Sequence, residues 1–87
     1  MAQLKFTPGA EKDLARLHKP IARLIYRRLI WLAKNFDFIT PVSLQGELKD
    51  YSKFRVGDYR ILYTHDGARQ FLIVHFIRHR REVYKDR

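Results

Sequence analysis

The sequence predicts an α+β domain: an N-terminal strand, then an antiparallel helical hairpin packed on one face of a mainly antiparallel four-stranded sheet. Three observations carry this. Two neighbouring segments of the first half place apolar residues at helical spacing, divided by His18-Lys19-Pro20. In the second half, Gly57-Asp58 stands between two short β-type runs, which is hairpin chemistry. Phe71 to Ile77 is a near-continuous apolar run with β-branched residues, the pattern of a strand covered on both faces. The resulting order is β-α-α-β-β-β, with the sheet face away from the helices left for function.

Each element follows from its residues. Gln3 to Phe6 alternates polar and apolar, so a first strand turns Leu4 and Phe6 inward. Thr7 suits an N-cap and Pro8 the first helical position. Ala10, Leu14 and Leu17 then form a narrow buried stripe. The second helix, about residues 21–34, sets Ile21, Leu24, Ile25, Leu29 and Leu32 on one face, and Asn35 serves as its stop. Trp31 widens the apolar surface; it covers the edge of the core or offers a docking patch. Asp37 to Glu47 is a connector with Pro41, Ser43 and Gly46. Asp66-Gly67 marks a second turn, and His75 inside the apolar run reads as a packed core histidine.

Length and composition bound the function. Eighty-seven residues make one domain spanning 1–87, with 46% hydrophobic and 14% aromatic content enough for a core. No cysteine is present, which excludes disulfides and fits a reducing cytoplasm. The first residues lack the apolar core of a signal peptide, and no apolar run is long enough to span a bilayer. The expectation is a soluble cytoplasmic protein with no membrane partner. Eighteen Lys and Arg against nine Asp and Glu leave a net charge of +9, which calls for a polyanionic partner.

The charge is concentrated where chemistry could use it. A two-residue Gly57-Asp58 loop sets Val56 opposite Tyr59, Arg55 opposite Arg60 and Phe54 opposite Ile61. Phe54, Val56, Tyr59 and Ile61 then share an apolar face, while Lys53, Arg55 and Arg60 share the other. Opposed arginines repel each other, so their pairing points to an anion site. The position of Arg78 turns on parity. A two-residue Asp66-Gly67 loop pairs Arg60 with Ile73 and leaves Arg78 on the opposite face, whereas a three-residue loop brings it to Arg60's side. Arg78-His79-Arg80-Arg81 and Tyr84 close the chain. No Gly-rich phosphate loop, metal-ligand cluster or nucleophile beside a base is recognisable, so no cofactor or metal is expected. Guanidinium and ammonium groups stabilise charge added to a phosphorane-like transition state, and a tyrosine among cations is biased towards the phenolate. The set suits metal-free RNA cleavage in which a ribose 2′-OH attacks the neighbouring phosphate.

Phe54-Arg-Val-Gly-Asp-Tyr-Arg-Ile-Leu-Tyr63 with the terminal Arg78-His-Arg-Arg-Glu-Val-Tyr84 resembles the RelE/ParE superfamily of type II toxins. The resemblance covers essentially the whole chain, including element order. It implies a RelE-like fold and a ribosome-dependent mRNA endonuclease that acts in the A site and is neutralised by a cognate antitoxin. Matched by motif, Lys53 and Arg55 are the family's basic strand pair, Arg60 the arginine of its Tyr-Arg motif, Arg78 a further arginine and Tyr84 the terminal tyrosine. Lys49, His79, Arg80 and Arg81 are the expected RNA-binding residues. Tyr84 is the expected base, with Glu47, His79 or a lysine such as Lys53 as alternatives. Two rival functions stand beside it: a ParE-like inhibitor of DNA gyrase, a branch that shares the fold but generally lacks this basic-plus-tyrosine set, and a basic nucleic-acid adaptor without chemistry.

Overall fold

The computed structural model describes residues 1–81. Its elements are β1 (Gln3–Phe6), α1 (Pro8–Arg16), α2 (Lys19–Lys34), β2 (Val42–Ser43), β3 (Ser52–Val56), β4 (Tyr59–His65) and β5 (Phe71–His79). Two 3₁₀ turns, Phe36–Phe38 and Gly46–Leu48, interrupt the α2–β3 connection. The sheet order is β1-β5-β4-β3-β2, with β1 parallel to β5 and the other neighbours antiparallel. Five strands replace the four expected, because Val42 and Ser43 pair with Lys53 and Ser52 just after Pro41. A two-residue strand has no alternation to read, so the sequence pattern does not reveal it.

Local chemistry starts and stops the helices. Thr7 is extended (φ −72°, ψ 160°) and its Oγ1 accepts from the Ala10 N–H at 3.1 Å. The His18-Lys19-Pro20 break is also a start: Pro20 sits in the first turn of α2, where its missing N–H has no helical partner to lose. Helix α2 buries Ile25, Leu29, Leu32 and Ala33, whereas Leu24 is 43% exposed. Leu24 lies a quarter-turn or so from Ile25, on the flank that also carries Arg28 and Trp31. There the Arg28 guanidinium covers the Trp31 ring at 4.6 Å and approaches the Phe54 ring at 5.8 Å. Trp31 is thus roofed by Arg28 but stays 41% exposed. At the far end of α2, the Asn35 side chain and backbone N–H both donate to the Trp31 carbonyl.

The helices cover one sheet face, where Ala10, Ile25, Leu29, Leu32 and Phe36 pack with Val56, Ile61, Tyr63, Leu72, Val74 and Ile77. Tyr63 is almost wholly enclosed, and burial pushes its phenol pKa above the ordinary value despite a hydrogen bond with Ser52. Arg69 ties the β4–β5 loop to this core. It adopts φ +58° and donates to the carbonyls of Phe36 (3.2 Å) and Ile39 (2.9 Å). The loop spans residues 66–70 rather than two or three residues, and Asp66 folds it by accepting from Phe71 N–H at 2.9 Å.

A bulge in β5 settles the parity of the sheet's far end. From Tyr59↔His79 to Leu62↔Phe76 the partners are directly opposed; Tyr63 then pairs with Val74, leaving His75 as the extra residue. If the Thr64↔Ile73 register continued, Arg60 would face Ile77 and Arg78 would fall on the helix side. With the bulge, Arg60 faces Arg78. His75 is not the packed core histidine expected, because the strand phase that buries Leu72 and Val74 turns it to the open face. Its ring is half-buried on the open sheet face, and its Nε2 lies 2.8 Å from Thr64 Oγ1.

Candidate active site

Alternation along β3 and β4 turns Lys53, Arg55 and Arg60 away from the helices, as the two-residue hairpin requires. Gly57 takes φ +58° as the first central residue of that turn, a conformation open to glycine at no cost from a Cβ. Arg55 faces Arg60 and Arg60 faces Arg78, so three guanidinium-bearing residues form one row across β3, β4 and β5. Adjacent strands lie about 4.8 Å apart, so the backbone sets the three residues side by side, and the contacts of each side chain decide where its charge lies. Lys53 stands one pleat away from Arg55 on the same face.

The surroundings of the four cations differ. Arg55 donates Nε–H to the Gly57 carbonyl at 3.1 Å, which leans it towards the hairpin tip. Among the described residues, no carboxylate pairs with Arg55 or Arg60. Arg78 is anchored: its Nη1 lies 2.6 Å from Asp13 Oδ2, and the same oxygen accepts from the Ile77 N–H at 3.1 Å. Asp13 thus caps the edge of β5 beyond the last residue paired with β1, while Arg78 also covers the Phe76 ring at 5.0 Å. Two clefts flank Arg60. One, of ≈ 60 Å³, is lined by Arg55, Asp58, Tyr59, Arg60 and Arg80; the other, of ≈ 260 Å³, by Val42, Lys53, Phe54, Arg55 and Arg60. A larger cavity of ≈ 720 Å³, lined by Leu4, Phe6, Leu14, Tyr26 and Ile30 among others, opens between β1 and the helices, away from this row.

The remaining expected residues are placed less uniformly. Arg80 follows β5, donates its N–H to the Asp58 carbonyl at 2.8 Å and brings Nη1 to 4.0 Å from Asp58 Oδ1. Arg81 is exposed, and its N–H donates to His79 Nδ1 at 3.2 Å. His79 departs from the expected grouping: as the neighbour of Arg78 it alternates to the helix-covered face, edge-on to Tyr59 at 5.2 Å. Lys49 and Glu47 are exposed at the 3₁₀ turn before β3. Tyr84, the expected base, lies outside the described residues. Asp13 had no recognisable signal in sequence, because one acidic residue on an amphipathic helix is ordinary and its partner lies 65 positions away.

The comparisons with known proteins agree with this architecture. Residues 4–84 match the family model described as the ParE toxin of the type II toxin–antitoxin system parDE, and the chain belongs to that family within the RelE/ParE group. No curated protein matches it in sequence. Among solved structures it is similar to the RelBE2 toxin–antitoxin complex of Mycobacterium tuberculosis, with TM-score 0.79 and 24% identity over 90% of this chain and 96% of that one. The isolated E. coli RelE toxin superposes with TM-score 0.73 and 21% identity, covering 99% and 94% respectively. A YoeB/ParE toxin from Agrobacterium tumefaciens shares 27% identity at TM-score 0.68, covering 91% and 98%. The chain is therefore a type II toxin-family protein with a RelE-like fold.

Proposed function

We propose that this toxin cleaves mRNA on the ribosome, using the arginine row as its phosphate site. The observation that carries the reading is Arg60: half-buried, mid-sheet, flanked by Arg55 and Arg78, and unpaired by any carboxylate among the described residues. A preorganised guanidinium there meets charge as it develops on the phosphate. In the reaction the ribose O2′ forms a bond to phosphorus and the P–O5′ bond breaks. The proton leaving O2′ passes to a base, and O5′ leaves as a hydroxyl after gaining a proton. Lys53, Arg55 and Arg78 hold the phosphate oxygens, and Tyr84 is the proposed base. Arg80, Arg81 and Lys49 add attraction for the RNA backbone.

An antitoxin is the second partner we propose. Related structures contain RelB-type antitoxins bound to RelE-type toxins, and +9 on a domain of this size favours an acidic protein. Such an interface should bury at least ~1,200 Å² and weaken with salt. The family model's own description favours a rival reading, inhibition of DNA gyrase in the manner of ParE. Translating a defined message with the purified toxin and mapping its 5′ ends distinguishes the two. New 5′ ends within codons support cleavage; an intact message together with inhibited gyrase supercoiling supports the rival. Binding of nucleic acid with neither effect indicates an adaptor.

A further inference from the structure

Tyr51, His75 and Phe76 share the open sheet face with the arginine row, at its other end. Tyr51 precedes β3 and stands edge-on to His75 at 5.2 Å and to Phe76 at 5.8 Å. The bulge makes the cluster possible, since consecutive residues of a regular strand would place His75 and Phe76 on opposite faces. Leu62 beneath them is only 6% exposed. Tyr51 is held firmly, with its N–H donating to the Leu48 carbonyl at 3.0 Å and its own carbonyl accepting from Leu44 at 3.0 Å. Its ring is half-exposed, and its hydroxyl bonds to nothing among the described residues.

We propose that Tyr51 is a stacking platform for one unpaired RNA base, next to the phosphate held by Lys53 and Arg55. The inference rests on the RNA-cleaving function proposed above and adds a base subsite to it. Tyr51, Lys53 and Arg55 follow one another on the same face at every second residue, roughly 7 Å per step. An aromatic ring followed by cations at that spacing matches an unstacked nucleotide, whose base and phosphate lie on either side of its sugar. Stacking on an aromatic ring tolerates every base, so this subsite grips the strand without selecting its sequence. His75 and Phe76 brace the ring. The occupant is single-stranded RNA rather than a protein segment, because the aromatic cluster runs directly into Lys53 and Arg55 on the same face.

The test uses ribosomes programmed with a message carrying 2′-deoxy nucleotides in the A-site codon, so that binding is measured without cleavage. Matching all-ribose messages report single-turnover cleavage. Each message is made intact and with one abasic position, scanned through the codon and its neighbours. For the wild-type toxin one abasic position should weaken binding by roughly tenfold, as for the loss of one stacked base. Tyr51→Leu should weaken binding of the intact message equally and show no further loss at that abasic position. Tyr51→Phe and Tyr51→Trp should restore the wild-type pattern, and unfolding midpoints check that all variants are folded. An unchanged abasic penalty in Tyr51→Leu overturns the platform while leaving the cleavage function intact. So does a Tyr51→Leu toxin that handles RNA normally but loses affinity for its acidic protein partner, which would mark the cluster as a protein-docking face. A wild-type toxin that neither binds nor cuts any of the messages overturns the underlying function as well.

Discussion

The two ends of the open sheet face solve opposite problems with the same strands. Towards the Gly57-Asp58 hairpin, Arg55, Arg60 and Arg78 stand in a row that repels itself, and the first two have no carboxylate among the described residues. Towards the β4–β5 loop, Thr64, His75, Phe76 and Tyr51 satisfy one another by a hydrogen bond and edge-on ring contacts. One end is held in an unfavourable arrangement by the strands beneath it, and the other adds to the packing that holds it. Directly opposed like charges destabilise a sheet, and the function proposed above assigns that end a phosphate to offset the repulsion. The boundary between them is the bulge at His75, which both assembles the aromatic cluster and delivers Arg78 to the row.

The largest effect separates the two ends by function. Arg60→Ala should lower single-turnover cleavage of ribosome-bound message by ~10²-fold, in line with the loss of one preorganised donor to a developing charge. The unfolding midpoint should stay level or rise, because the variant removes repulsion. Ribosome affinity should change far less, since many cations contribute to it. Equal losses of binding and cleavage would make Arg60 a phosphate clamp instead.

Asp13 tests whether the basic end needs support from the helical layer. Asp13→Ala leaves the Ile77 N–H without its acceptor and releases Arg78, so chemical denaturation should show a loss of about 2 kcal/mol, typical of hydrogen bonds to a charged group. Asp13→Glu, which restores the charge with one more methylene, should recover part of that stability. A wild-type denaturation curve for Asp13→Ala would show that the anchor is replaced by water at no cost.

Legibility in sequence followed the range of the interactions. The Gly57-Asp58 hairpin could be read residue by residue, because a two-residue turn fixes its register and alternation fixes the faces. Both helices were readable from their periodicity, and Thr7 and Pro8 from local capping chemistry. The features misplaced or missed in the sequence depend on how distant segments meet. Leu24 sits on an exposed flank of α2, and His75 faces away from the core in the strand phase that buries Leu72 and Val74, with the bulge adding Phe76 beside it. Arg69 is spent on carbonyls thirty-three and thirty positions away, and Asp13 on Arg78. Loop length alone could not settle the place of Arg78, since a bulge reverses parity as effectively as one more loop residue.

A smaller effect measures the repulsion itself. Arg55→Gln keeps a long polar side chain opposite Arg60 but removes one charge, and should stabilise the fold by about 0.5 kcal/mol. The gain should shrink as salt rises from low ionic strength, because these side chains are open to solvent. A loss of stability at low salt would show that the Arg55 Nε–H bond to the Gly57 carbonyl outweighs the repulsion.

The smallest effect asks whether the aromatic end can be made to resemble the basic one. Burial lowers the pKa of His75 from the ordinary value near 6.5, so the folded protein favours the neutral ring beside Thr64 and Tyr51. Below that pH the unfolded chain binds the proton more readily, and stability falls as pH drops from about 6.5 towards the lower folded pKa. Above it this residue adds no pH dependence. The protonated ring would also stand near Arg78, whose guanidinium already covers the adjacent Phe76. His75→Gln retains a hydrogen-bonding group without the titration, so its thermal midpoint should fall less than wild type between about pH 6.5 and 5. Parallel slopes for the two proteins would show that the acid sensitivity arises elsewhere and that the bulge tolerates a charge.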